Sequence, residues 1–344
     1  MPDRQVRSGR SPAVEVVVVG AGPVATAVAA RWGKRARILP EVPAQDPASA
    51  FAGARVVVLA AHSGLMMSTT RGGKDAHAPA VAHTQRLLSA AREAKIEHVV
   101  VISSATVHGA SAGRPVIHDT DPLLRGADAP DEGLVGHLLA VESVVARAAR
   151  RRAPLVTVLR PAALVGTGVD TFVTRHFEAP RLLVLRGVER EWQFVHLADV
   201  AAAVELVVEH RLTGPLTVGA PDVLTPAQVQ AAAGMRTVEL AAATAFGTAE
   251  RLHRVGVLPA PAGELAYVVY PWTVAADGLT AAGFAPRWSS AACLDVLLEV
   301  VQGRLAVAGR RVGTRDAAAL GAAGAAVALV GTAAIWRQAR GRRR

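Results

Sequence analysis

Tyrosine and lysine are scarce in this 344-residue chain: there are two tyrosines, Tyr267 and Tyr270, and three lysines, Lys34, Lys74 and Lys95. No Tyr-x-x-x-Lys sequence exists in it, because every lysine precedes both tyrosines. Cysteine occurs once, at Cys293, which excludes an internal disulfide and suits a reducing compartment. Aromatic residues make up 4%, too few to interleave a basic nucleic-acid face, and no zinc spacing or nucleic-acid motif is present. Neither a metal nor a nucleic acid is therefore expected. The opening "MPDRQVRSGRSPA" is polar and basic, and the apolar run behind it covers only 14–19, so no signal peptide is expected and 1–12 reads as disordered.

Charge of one sign is also scarce outside the C-terminus. Of the net +10, residues 309–344 hold +7, from eight arginines against Asp316. The excess belongs to a tail and not to a binding face. Ahead of the basic end, Ala317–Trp336 is a run of 20 uncharged residues. Its length matches a bilayer span, and a terminal Trp followed by arginines resembles an interfacial anchor. An Ala-rich soluble helix fits equally well, because most of the run is Ala and Gly and a spanning helix would export five arginines, against the positive-inside tendency. The expected location is cytoplasmic, with membrane contact through 317–344 as the open alternative.

What is abundant is buried-strand sequence. The runs 14–19, 36–39, 55–60, 98–103 and 155–160 are rich in Val, Ile and Leu and alternate with Ala-rich helical stretches such as 78–94 and 138–151. Unbroken apolar runs mean strands covered on both faces. The βαβα order predicts an α/β fold, a Rossmann-type doubly wound parallel sheet. The expected organisation is a dinucleotide-binding domain over 13–165, then completion of the fold and a small C-terminal α/β subdomain over 166–308. A hydrophobic helix with a basic tail would follow over 309–344.

After the first strand, "GAGPVA" places Gly20, Gly22 and Ala25 in a GxGxxA pattern opening a helix. The first glycine permits the turn, the second lets a pyrophosphate approach the backbone, and the small third residue lets helix and strand pack closely. An acid about 20 residues on can hold the adenosine ribose. Glu41 is the candidate, and a solvated loop acid is the alternative. The pattern predicts NAD or NADP as cofactor.

Five further stretches keep the order and spacing of one family. "HVVVISSATVHGA" (98–110), "VLRPAALVG" (158–166), "WQFVHLADVAAAVELVV" (192–208), "LTVGAPDVLTPAQV" (216–229) and "GLTAAGFAPRWSS" (278–290) resemble segments of the NAD-dependent epimerase/dehydratase family, the extended short-chain dehydrogenases/reductases. The resemblance covers residues from about 14 to 300. It implies cofactor contacts from Gly20, Gly22, Ala25, Glu41, Ala60, Ala61, His62, Ser103 and Pro161, and a nucleotide sugar or other small molecule as second ligand. Two departures stand out. In the family's GxxGxxG register, Pro23 and Thr26 replace the later glycines, and the chain before 55–60 has room for one strand where the family often has two.

The resemblance also implies a Ser, Tyr and Lys as the reacting set, the tyrosine moving a proton and the lysine lowering its pKa and holding the nicotinamide ribose. The serine corresponds to Ser104. Counting back from Val141–Glu142 puts the tyrosine position at Leu134 and the lysine position at Leu138. A leucine transfers no proton. His137, beside the lysine position, is the substitute that the sequence offers, against a surface histidine in the first helical turn. His62 stands where the family's loop covers the cofactor, and Asp199 reads as an N-cap. Two readings follow: a dinucleotide-binding or sensing protein impaired in redox chemistry, or an active NAD(P)-dependent oxidoreductase or nucleotide-sugar epimerase/dehydratase using Ser104 with His137 or water.

Overall fold

The computed structural model describes residues 14–67, 76–258, 260–302, 304, 306–307 and 310–311. The expected disordered N-terminus and the run 317–336 lie outside the described residues. Among those described, no helix is long and apolar enough to cross a membrane.

Five strands arise where the apolar runs predict them: β1 (Val16–Val19), β2 (Ala36–Leu39), β3 (Val56–Ala60), β4 (His98–Ile102) and β5 (Leu155–Pro161). Short strands β6 (Ala163–Val165), β7 (Leu182–Leu185) and β8 (Phe194–His196) precede β9 (Gly214–Val218), and β10 (Thr237–Leu240) follows. The main sheet runs β2-β1-β3-β4-β5-β9, and every pairing in it is parallel. A single strand lies outside β1, as the short sequence there predicts.

The two-residue period of the strands separates two cores. Val16, Val18, Val56, Val58, Val100 and Ile102 face one side, where helices α1 (Pro23–Trp32) and α5 (Leu197–Glu209) cover them. Val17, Val19, Val57, Leu59, Val99 and Val101 face the other, under α2 (Ala78–Glu93) and α3 (Gly133–Ala148). Strands walled on both sides need apolar residues at every position, hence their unbroken runs. The remaining helices are α4 (Phe172–Phe177), α6 (Pro226–Ala233), α7 (Ala242–Arg254), α8 (Ala266–Val269), α9 (Asp277–Ala281) and α10 (Ser290–Val301). Most of them gather with the parallel pair β7–β10 beyond the C-terminal ends of the main strands, forming the small α/β subdomain.

Two local expectations are corrected. Helix α3 starts at Gly133 and not at Leu138, because Glu264, 130 residues downstream, accepts the Leu134 N–H at 2.7 Å and satisfies a first-turn donor that the local sequence leaves open. Asp199 is not the N-cap of α5. His196 holds that place, its Nδ1 accepting from the Ala198 N–H, while the buried Asp199 carboxylate accepts the Arg287 and Trp288 N–H groups at 3.0 and 3.1 Å.

Candidate functional site

The sheet reverses direction of winding between β1 and β3, and the predicted site residues collect at the strand ends there. Gly20 leaves β1 at φ 130° and Gly22 caps α1 at φ 88°. Ala25, wholly buried, lets the helix lie against the sheet. A Cβ on Gly22 would lie 2.8 Å from the Ser63 carbonyl oxygen, so the space that this glycine opens is filled by the chain's own backbone. That carbonyl also accepts the Val24 N–H at 3.2 Å, and Pro23 has no N–H to give. Gly22→Ala should therefore cost about 1–3 kcal/mol before any ligand is considered, from a backbone conformation reserved for glycine and a clash with Ser63. Chemical denaturation of the ligand-free protein checks this; an unchanged midpoint would refute the packing.

On one side of this turn lies a cavity of about 330 Å³, lined by Gly20, Glu41, Ala60, Ala61, His83 and His137 among others. It joins four of the predicted cofactor residues to the histidine predicted as a catalytic substitute. His83 accepts the Val42 N–H on Nε2 at 3.1 Å. His137 is held by the Ala61 backbone and lies edge-on to His77, with ring centroids 6.2 Å apart. Burial lowers the His137 pKa, with the neighbouring His77 second.

On the other side is a separate apolar cavity of about 50 Å³, which takes in His62, Ser104, Leu134, Glu264 and Tyr267. Ser104 caps a 3-10 turn, its Oγ accepting the Thr106 N–H at 3.3 Å and donating to the Pro161 carbonyl at 3.5 Å. That places Pro161 beside Ser104. His62 is buried, accepts the Gly64 N–H on Nδ1, and has its pKa lowered to about 4, mainly by burial and then by His137. Ser104 and His137 line different cavities, so their predicted partnership is not assembled. Leu134 faces the Ser104 cavity, and Leu138 has no exposed surface.

Two groups in the Ser104 cavity escaped sequence reasoning. Burial raises the Glu264 pKa while its carboxylate holds the start of α3. The Tyr267 hydroxyl donates to the Thr106 carbonyl at 2.9 Å, and burial, with Glu264 second, raises its pKa. No motif announced them. The available signal was rarity, since Tyr267 is one of two tyrosines.

Ser103 faces a different task from the one expected of it. Its Oγ donates to Glu142 Oε1 at 2.6 Å within a buried network. Glu142 takes Arg160 Nη2 at 2.7 Å, and Arg160 Nη1 reaches His108 Nε2 and the Asp119 carbonyl, each at 3.3 Å. Arg160 can only donate, so His108 Nε2 accepts and its Nδ1 donates to the Pro122 carbonyl at 3.1 Å; burial first and Arg160 second lower the ring's pKa to about 4. The network ties β4, β5 and α3 together beneath the cavities. Among the described residues, no group of three or more His, Cys, Asp or Glu is placed to hold a metal ion.

A parallel doubly wound sheet with a glycine turn at its switch point defines a Rossmann-type nucleotide-binding architecture. Residues 41–218, just over half of the chain, match the model of the NAD dependent epimerase/dehydratase family, and the protein belongs to that family. Uncharacterized protein Rv0501 of Mycobacterium tuberculosis is 28% identical over 151 residues, covering 43% of this chain and 40% of that protein. The match to Mb0513 of Mycobacterium bovis has the same extent, so the chain spans about 40% of the length of the curated relatives it matches. Among solved structures, MoeE5 in complex with UDP-glucuronic acid and NAD is similar at TM-score 0.60 and 21% identity, covering 84% of this chain and 99% of that one. Human epimerase family protein SDR39U1 with NADPH is similar at TM-score 0.62 and 16% identity, covering 84% and 99%. UDP-N-acetylglucosamine 4-epimerase from Bacillus cereus reaches 0.59 and 15%, covering 84% and 100%. At these identities, the structural likenesses show the fold.

Proposed function

We propose that this family member binds an adenine dinucleotide at the strand ends without running the family's redox step, and so acts as a binding or sensing protein. The observation that carries this reading is helix α3. The positions that the family fills with tyrosine and lysine are Leu134, against the Ser104 cavity, and Leu138, fully buried. Neither can move a proton or hold a ribose. Losing a general acid–base group typically costs ~10²–10⁴ in rate.

The fit to the cofactor differs along its length. The 330 Å³ cavity, with Glu41 at the end of β2, suits an adenosine half, and a carboxylate there supports NAD over NADP by repelling a 2′-phosphate. The solved relatives that hold NAD or NADPH support the same ligand class. The pyrophosphate fits only if Ser63 moves. When bound, the nicotinamide would supply a hydride acceptor or donor, and neither Leu134 nor Leu138 is equipped to complete that exchange. A nucleotide sugar or other small molecule is proposed as second ligand on the strength of the MoeE5 and epimerase likenesses.

Mass spectrometry of small molecules released from natively purified protein should find an adenine nucleotide. Mixed with NAD(P) and a panel of nucleotide sugars and simple carbinols, the protein should form no reduced nicotinamide. Robust turnover by the unaltered protein would overturn the reading.

The placement of Glu264 and Tyr267 in the Ser104 cavity favours a second reading, an active enzyme with its acid–base groups drawn from the C-terminal subdomain. That reading predicts turnover lost in Glu264→Gln or Tyr267→Phe and kept in His137→Ala.

A further inference from the structure

We infer that the segment Ala61–Met67 is a main-chain stand-in for the cofactor's pyrophosphate: in this form the cleft accepts an adenine nucleoside, and a dinucleotide binds only by displacing the segment. The inference rests on the reading of the cleft as an adenine-nucleotide site.

Three observations carry it. First, two of the positions from which a helix start donates to a phosphate are already withdrawn. Pro23 lacks an N–H, and the Val24 N–H is committed to the Ser63 carbonyl at 3.2 Å. A carbonyl oxygen carries partial negative charge, so it satisfies the positive end of α1 as a phosphate oxygen would. Second, the close approach that Gly22 allows is occupied by that same carbonyl, 2.8 Å from where a Cβ would be. Third, the segment is fastened on its far side. The Gly64 carbonyl accepts the Asp170 N–H at 2.9 Å, Leu65 and Asp170 form a parallel bridge, and the Asp170 carboxylate is gripped by Arg175 at 2.7 and 2.9 Å. Gly64 turns at φ 82°, with its missing Cβ directed at Pro23 Cγ, 2.9 Å away.

The adenosine end is untouched by this closure. Its cavity of about 330 Å³ lies beyond Ala60 and Ala61, lined by Glu41, His83 and His137. Adenosine can therefore enter with the segment in place, whereas the second half of NAD(P) meets backbone. The dinucleotide's extra contacts are offset by the hydrogen bonds that it must break.

Isothermal titration with adenosine and with NAD, alongside hydrogen exchange over residues 61–67, tests this. On the unaltered protein the two ligands should bind within about threefold of each other, and only NAD should raise exchange at 61–67. Gly64→Ala strains the turn and drives a methyl into Pro23. It should tighten NAD about tenfold or more and leave adenosine within about twofold. Pro23→Gly, which returns an N–H to the helix start, should act in the same direction if Gly64→Ala folds poorly. NAD binding more than tenfold tighter than adenosine, with exchange at 61–67 unmoved, would overturn the inference and leave the nucleotide reading standing. Absence of binding by both ligands, to folded wild type and folded variants, would overturn the nucleotide reading itself.

Discussion

Stability should fall steeply as the pH drops from about 6.5 toward 4. Four histidines are held neutral inside the fold: His62, His98 and His108 with pKa values of about 4, and His176 at about 3, burial being the first cause for each. His98 Nε2 lies 2.8 Å from Thr157 Oγ1, and the His176 ring stacks on Trp192 with centroids 5.8 Å apart. The unfolded chain takes up these protons near pH 6.5, and the folded chain cannot. Their folded pKa values lie below the unfolded value, so stability is retained above about pH 6.5 and lost on the way down. Each histidine contributes a slope of up to ~1.4 kcal/mol per pH unit, and the four together up to roughly 5 kcal/mol per unit. The exposed His118, raised by Asp277, works in the opposite sense. Urea midpoints at pH 7.5, 6 and 5 measure the slope, and His98→Gln or His176→Gln should each remove a share of it. A flat profile between pH 7 and 5 would show that these rings reach water in the folded state.

Glu142→Ala should cost about 3–5 kcal/mol, because it strands a buried guanidinium. Arg160 and Glu142 are 6% and 4% exposed, and among the described residues Glu142 is the acid that pairs with Arg160. The Ser103 hydroxyl loses its acceptor at the same stroke. Adding Arg160→Met should recover part of the loss, since two apolar groups can share a space that one unpaired charge cannot. Guanidinium denaturation of the two single variants and the double variant gives the coupling energy. A loss under about 1 kcal/mol for Glu142→Ala would mean that water reaches the arginine.

Much of the fold was legible because the physics behind it is local. Strands β1 and β3 are apolar at every position and β2, β4 and β5 at most of theirs, and the turn at Gly20–Gly22 follows β1 directly, so period and punctuation sufficed. The site was legible in its outline and not in its assembly. Gly20, Glu41, Ala60 and Ala61 meet as their spacing from the strand ends implies. Ser104 and His137, 33 residues apart in sequence, line different cavities. Nothing in "LAAHSG" announces that its serine carbonyl will turn onto α1. The same holds for Glu264 and Tyr267, which act on α3 from a subdomain whose docking angle is set by packing, and for Ser103, whose neighbour Ser104 is indistinguishable from it in sequence.

The order of strands in the main sheet has a consequence for how the protein is made. Strand β9 closes the sheet against β5, yet it emerges 53 residues after β5 ends, and α5, which covers α1, is made just before it. A chain leaving the ribosome thus has β5 as a bare edge, and the apolar side of α1 uncovered, until residue 218 is out. At ~5–20 residues per second that interval lasts seconds, long against the microseconds of collapse. Folding of the first half is therefore provisional: the nascent chain is at its most adhesive while the subdomain is being synthesised, and a holdase chaperone would find its best target there.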